Sequence, residues 1–169
     1  TAATPLGMLK TEGLGAMQQA YSHMDLLVGS IGGSMGEMSA LALLLGALFL
    51  LARGVISWEI PVSVLGTLAV FTGIFWVVNP QVYADPLFHV LSGGAILGAC
   101  FMATDMVTSP LTRKGMLIFG FGIGLLTGII RLFGGYPEGI SFAILIMNAV
   151  VPLIDRVTAP RKFGSGGDA

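Results

Sequence analysis

"LALLLGALFLLA" (residues 41–52) decides what kind of molecule this is. No charge interrupts it, and apolar residues do not alternate with polar ones, so it is not the strand of a membrane β-barrel, which would read with a period of two. An unbroken apolar run of this kind forms a helix, because in hydrocarbon every backbone N–H and C=O must be satisfied within the segment itself. Working outward, four other stretches share the character. The segments 35–53, 60–78, 86–106, 115–133 and 138–157 are each long enough to cross a core of ~30 Å, which takes about 20 helical residues. The pattern predicts an all-α integral membrane protein with about five transmembrane helices.

Composition agrees. Of 169 residues, 54% are hydrophobic and only 10% charged, and the mean hydropathy is +0.88, well outside the range of a water-soluble domain. Glycine occurs 25 times. Gly120, Gly124 and Gly128, and again Gly94 and Gly98, recur every four residues, a spacing that lets helix backbones approach closely in a bilayer. A net charge of −1 gives no electrostatic reason for a nucleic-acid partner. The single cysteine, Cys100, excludes a disulfide framework and a self-contained iron–sulfur site. No GxxxxGK[ST] loop offers an ATP site and no HExxH a zinc site.

The basic residues set the predicted orientation. With residues 1–34 on one side, that side receives Lys10 and Arg131, while the other receives Arg53, Arg113, Lys114, Arg156, Arg161 and Lys162. Positive charge accumulates on the cytoplasmic side. The N-terminus is therefore expected outside and the C-terminus in the cytoplasm, with 1–34 an extracytoplasmic segment, 35–157 the five-helix transmembrane domain and 158–169 a flexible cytoplasmic tail. The chain opens on Thr1 with no signal peptide before it, the expectation being a numbering that starts inside a longer product.

The opening, "TAATPL" (1–6), raises a chemical question. Proline at position 5 pushes Thr4 out of the helical region into an extended conformation, and Ala2 and Ala3 are small, so the Thr4 hydroxyl is presented as an acceptor for covalent modification. An ordinary loop is the alternative. These six residues resemble the flavin-attachment motif (Ser/Thr, Gly/Ala, Ala-Thr) of the membrane subunits of the Rnf and Na⁺-pumping NADH:quinone oxidoreductase complexes, the RnfD/NqrB family. "GSIGGSMGEMSALALLLGALFLL" (29–51) is similar to that family's Gly-Ser-x-Gly-Glu-Thr-Ser-Ala-Leu-Ala segment, with Met38 in place of its usual threonine. "HVLSGGAILGACFMATDMVTSPLTRKG" (89–115) is similar to its Ser-Gly-Gly and Ala-Thr-Asp-x-Val-Thr-Ser-Pro segment, and "NAVVPLIDR" (148–156) to its ending.

The resemblance is to the C-terminal half of the RnfD component of an Rnf complex, and it implies the following. Thr4 carries FMN through a phosphoester made by a flavin transferase outside the bacterial cytoplasmic (inner) membrane. The fold is one half of an inverted-repeat, urea-channel-like architecture. The chain is a flavin-carrying subunit of a redox-driven translocase, not catalytic alone. It passes electrons among other membrane, flavin and iron–sulfur subunits as ferredoxin and NAD⁺ exchange electrons and Na⁺ or H⁺ moves. Gly36, Glu37, Ser39, Asp105, Thr108 and Ser109 are the further cofactor-binding candidates, and a second, non-covalent flavin is a further implication.

The residues leave alternatives beside each of these. Glu37 sits in a glycine-rich lead-in that allows close approach to a flavin ring, or is a helix-start carboxylate favoured by the dipole. Asp105, Thr108 and Ser109 supply oxygen ligands for a flavin or cation, or cap a loop. Asp155, with Asn148 two turns earlier on nearly the same face, marks a possible cation path, or pairs with an arginine at the surface. His89 is a titrating group or a satisfied interfacial histidine. Arg131 is expected to snorkel outward or to meet a flavin, and Trp58, Trp76, Tyr83 and Tyr136 to anchor the interfaces. Half of a small-solute channel or transporter is the rival function, since interrupted helices and repeats also build those proteins.

Overall fold

The computed structural model describes residues 4–32, 36 and 39–159, and among them it is entirely helical. Three short helices come first: α1 (Pro5–Thr11), α2 (Leu14–Ala20) and α3 (His23–Val28). Thr4 caps α1, with proline following it at the first helical position. Ser22 caps α3 in a reciprocal box, its Oγ accepting from the Asp25 amide at 3.3 Å while the Ser22 amide donates to Asp25 Oδ2 at 2.9 Å. That second bond, then the Ser22 hydroxyl, holds the exposed Asp25 carboxyl below its ordinary value of 3.8. The box therefore contributes above pH 3.8 and is lost as pH falls through the lowered value.

The apolar body follows. α4 (Ala40–Ala52) starts at the Ser39 cap, α5 spans Glu59–Val78, α8 spans Arg113–Phe133 and α9 spans Ile140–Thr158. The last three, of 20, 21 and 19 residues, are long and apolar enough to cross a membrane. Thirteen residues of α4 rise about 20 Å, short of a full crossing. Its start at Ala40 trims the expected 35–53 segment; Glu37 and Met38 lie outside the described residues.

The segment expected as one span over 86–106 is not one helix. α6 (Pro86–Leu91) ends at Ser92, Gly93 turns with φ +62°, and α7 (Ala95–Leu97) continues into a π-helical turn, Gly98–Met102. Asp85 caps α6 by accepting from the Phe88 amide at 3.2 Å. Two adjacent glycines permit the interruption, but they do not satisfy the carbonyls it frees. An arginine on α8 does.

α5 and α8 form the tightest seam. A β-carbon on Gly120 would stand 2.7 Å from Ser63 Cβ, and on Gly124 2.6 Å from the Val64 carbonyl oxygen. On Gly128 it would stand 2.5 Å from Phe71. The expected glycine stripe is thus the contact that lets the two backbones meet, with Ser63 Oγ donating to the Leu117 carbonyl at 2.8 Å across it. Gly122 faces α9 instead, against Met147. Cys100 is free and buried in the π turn. Replacing Gly124 by valine is expected to destabilise the bundle by about 1–3 kcal/mol through overpacking. Gly66→Ala, where the added methyl meets nothing within 4 Å, should be neutral or stabilising. Thermal unfolding of the two variants in detergent checks the pair.

Candidate functional site at the broken helix

Helix connectivity gathers α1, α3, the 79–85 loop and the 134–139 turn at one end of the bundle, and the 53–58 and 103–112 loops at the other. Hydrogen bonds tie the first group together. Lys10 Nζ donates to the carbonyls of Gly134 and, at 2.6 Å, Tyr136, stapling α1 to the α8–α9 turn. Burial holds the Lys10 ammonium below its ordinary value of 10.5. His23 Nε2 pairs with Asp85 Oδ2 at 2.9 Å, joining α3 to the start of α6.

Arg131 is the centre of this end. Only 4% exposed, it donates from Nε to the Glu138 carbonyl at 3.0 Å, from Nη1 to the His89 carbonyl and from Nη2 to the Ser92 carbonyl at 3.1 Å. The expectation that Arg131 snorkels outward is therefore corrected: the guanidinium turns inward because broken helix ends expose carbonyls that its fixed fork of donors can satisfy. A β-carbon on Gly93 would lie 2.7 Å from Leu6 Cδ1 and 3.2 Å from Arg131 Nη2. The break is thus held between the α1 side chain Leu6 and the guanidinium. His89 and Ser92 are 1% and 0% exposed. Among the described residues both His89 ring nitrogens and Ser92 Oγ have no hydrogen-bond partner.

Thr4 sits at the edge of this assembly. Its backbone is extended, φ −69° and ψ 150°, as the proline predicted, and its side chain is half-buried. The hydroxyl oxygen accepts the Gly7 amide at 3.1 Å, so it caps α1 as well as presenting an oxygen. That double use was legible in the Thr-Pro pair only as the extended backbone.

The remaining candidates lie elsewhere. Ser39 caps α4, accepting from Ala42, and donates to the Leu27 carbonyl at 3.3 Å. Gly36 has φ +100°, and Glu37 falls outside the described residues. At the opposite end Asp105 Oδ2 accepts from the Thr108 hydroxyl at 3.2 Å, and its carbonyl from the Ser109 amide at 3.1 Å. This is the bonding of a capped loop. Asp155 Oδ1 accepts the Leu111 amide at 3.1 Å, fastening that loop to α9. So Thr4 is not grouped with Asp105, Thr108, Ser109 or Asp155. Among the described residues no three His, Cys, Asp or Glu side chains gather into a metal site.

Two features passed over in the sequence are visible here. Glu59 opens α5 at 5% side-chain exposure, 3.5 Å from the exposed Arg113, with Oε2 unpartnered among the described residues. A carboxylate heading an apolar run was its only signal. The His23–Asp85 pair is the second, and residues 62 apart left no local signal at all.

Replacing Arg131 by methionine is expected to cost roughly 3 kcal/mol, since buried carbonyls left unpaired cost about 1–3 kcal/mol each. Arg131→Lys should restore only part, an ammonium lacking the planar fork. Thermal unfolding of the purified protein and protease cleavage near Ser92–Gly94 read both effects.

Comparison with known proteins places this geometry in a lineage. The model of the NQR2, RnfD, RnfE family matches residues 1–164. The chain is 46% identical to the D component of the proton-translocating ferredoxin:NAD(+) oxidoreductase complex of Clostridium ljungdahlii, over 98% of this chain and 51% of that protein. It is 50% identical to the D component of the Na(+)-translocating ferredoxin:NAD(+) oxidoreductase complex of Acetobacterium woodii, over 97% and 49%. To the corresponding component of the ion-translocating oxidoreductase complex of Stutzerimonas stutzeri it is 50% identical, over 96% and 48%. The chain spans about half the length of the curated relatives it matches. With three helices fit to cross a bilayer and a family match along nearly all of its length, the chain is an all-α membrane protein belonging to the NQR2, RnfD, RnfE family.

Proposed function

We propose that this chain is the flavin-bearing part of one subunit in an ion-translocating ferredoxin:NAD⁺ oxidoreductase, contributing an electron-transfer station and not a complete active site. The observation that carries the reading is the Thr4 hydroxyl: half-buried on an extended backbone, it accepts one hydrogen bond and keeps its own O–H. In a phosphoester the threonine oxygen is kept and the FMN phosphorus takes the place of its hydrogen, so the residue fits the cofactor. When bound, FMN supplies one- and two-electron redox chemistry, and the protein supplies position and electrostatics. Pinning of α1 by Lys10, and of the break by Arg131, would hold the attachment point fixed relative to the spans.

The distribution of basic residues supports placing Thr4 outside the inner membrane, where a flavin transferase reaches it, and the C-terminus in the cytoplasm. Other membrane, flavin and iron–sulfur subunits of the complex are the electron donors and acceptors in this reading. Asp155 is its candidate on a cation path for Na⁺ or H⁺; Gly36, Glu37, Ser39, Asp105, Thr108 and Ser109 are its further cofactor-binding candidates, and a second, non-covalent flavin is part of the reading.

Mass spectrometry of the N-terminal peptide from the native assembled complex tests the attachment. One FMN increment is expected on Thr4. Thr4→Asn should abolish it while α1 persists, because asparagine caps a helix as well as threonine does but offers no hydroxyl. An unmodified Thr4 in the native complex refutes the reading. For the cation path, Asp155→Asn is expected to lower ion flux per electron transferred in reconstituted vesicles without lowering flavin content. Unchanged flux would leave Asp155 as the residue that fastens the 103–112 loop.

A further inference from the structure

Two cavities open at the Thr4 end of the bundle, and they share His23 and Asp85. One, of about 310 Å³, lies between α2, α3 and α6, walled by Met17, Tyr21, Leu26 and Phe88. The other, of about 670 Å³, lies along α5 and α6, with Trp76, Pro86 and Val90 in its walls. Both volumes fall in the range of small-molecule sites, about 300–1,000 Å³. The larger also has that make-up, a mainly apolar wall that includes Trp76 with His23 and Asp85 converging at one edge, while the smaller is as polar as it is apolar, with Ser22, His23 and Asp85 beside Tyr21 and Phe88. Cavities elsewhere differ. The α5–α8 groove around Val62, Val70, Phe71 and Phe121 is nearly all apolar, and the hollow by Ser57, Thr104 and Ser109 is at the opposite end.

The cavities are also coupled to the attachment point through a short series of contacts. Met17 sits on α2, next in the chain after α1; Phe88 stacks edge-on against His89 at 5.6 Å. The His89 carbonyl is held by Arg131, and Arg131 and Leu6 of α1 meet at Gly93. An amphipathic planar ring, with one benzenoid edge and one hydrogen-bonding pyrimidine edge, matches the larger cavity, whose apolar wall includes Trp76 and whose polar margin is His23 and Asp85. Resting on the attachment proposed above, we propose that the larger of these cavities seats the isoalloxazine ring of the flavin tethered at Thr4, with Asp85 and His23 at its polar edge and Trp76 at its face.

Physical consequences follow for the ring. A carboxylate beside it opposes the negative charge gained on reduction and so holds the potential down. A tryptophan stacked on it quenches its fluorescence. The test uses the full native complex carrying Asp85→Asn or Trp76→Leu. Asparagine preserves the α6 cap while removing the charge, so Asp85→Asn is expected to raise the midpoint potential of the Thr4-linked flavin by a tenfold equivalent, about 59 mV for one electron. Trp76→Leu is expected to raise its fluorescence severalfold. In both variants peptide mass should still report one FMN on Thr4. If that FMN is present and neither potential nor fluorescence moves in either variant, the seat is refuted and the attachment stands. If wild-type Thr4 carries no FMN, the attachment itself fails.

Discussion

A cation buried in an apolar bundle is costly unless its donors are met, and here the guanidinium of Arg131 is met by backbone. Carbonyls of His89, Ser92 and Glu138 converge on it from two different connections of the chain. The arrangement answers two problems at once. A helix that stops inside an apolar environment leaves carbonyls without partners, and a charge there lacks water. Each satisfies the other. Without Arg131 the carbonyls freed at the break would lose their partner, and the α8–α9 turn would lose its fastening to the break.

From that clamp the rest of this end acquires its order. α1 lays Leu6 against Gly93, beside the guanidinium, and Lys10 fixes the far end of α1 to the same turn that Arg131 holds through Glu138. α3 is joined to the start of α6 through His23 and Asp85. The N-terminal helices, too short to be stable alone, are thus stabilised by tertiary fastening onto the bundle. The opposite end is simpler. Asp105 and Asp155 organise one loop, and Thr112 caps α8 by accepting the Gly115 amide at 3.0 Å.

How much of this was legible in the sequence depends on the range of its cause. The spans at 60–78, 115–133 and 138–157 correspond to α5, α8 and α9 within a few residues, because an apolar run of that length has one good conformation in a bilayer. Gly120, Gly124 and Gly128 were readable as a seam for the same reason. The interruption in 86–106 was not: Ser92-Gly93-Gly94 reads as small-residue packing until Arg131, remote in sequence, is seen to take the carbonyls. α1 and α3 hid inside what looked like a lead-in, although Thr4-Pro5 and Ser22 with Asp25 are helix-start signals. Thr4 itself was legible as an extended, presented hydroxyl. Its capping bond to Gly7, and the loop-fastening bonds of Asp105 and Asp155, depend on where folded neighbours lie.

The central claim is that one buried arginine holds open a break in what the sequence presents as a membrane span. A density map of the native complex at side-chain resolution tests it most directly. The account predicts α6 ending at Ser92, with the Arg131 guanidinium seated against the carbonyls of His89, Ser92 and Glu138. A continuous helix through residues 86–106, with the Arg131 side chain extended to the lipid headgroups, would contradict it.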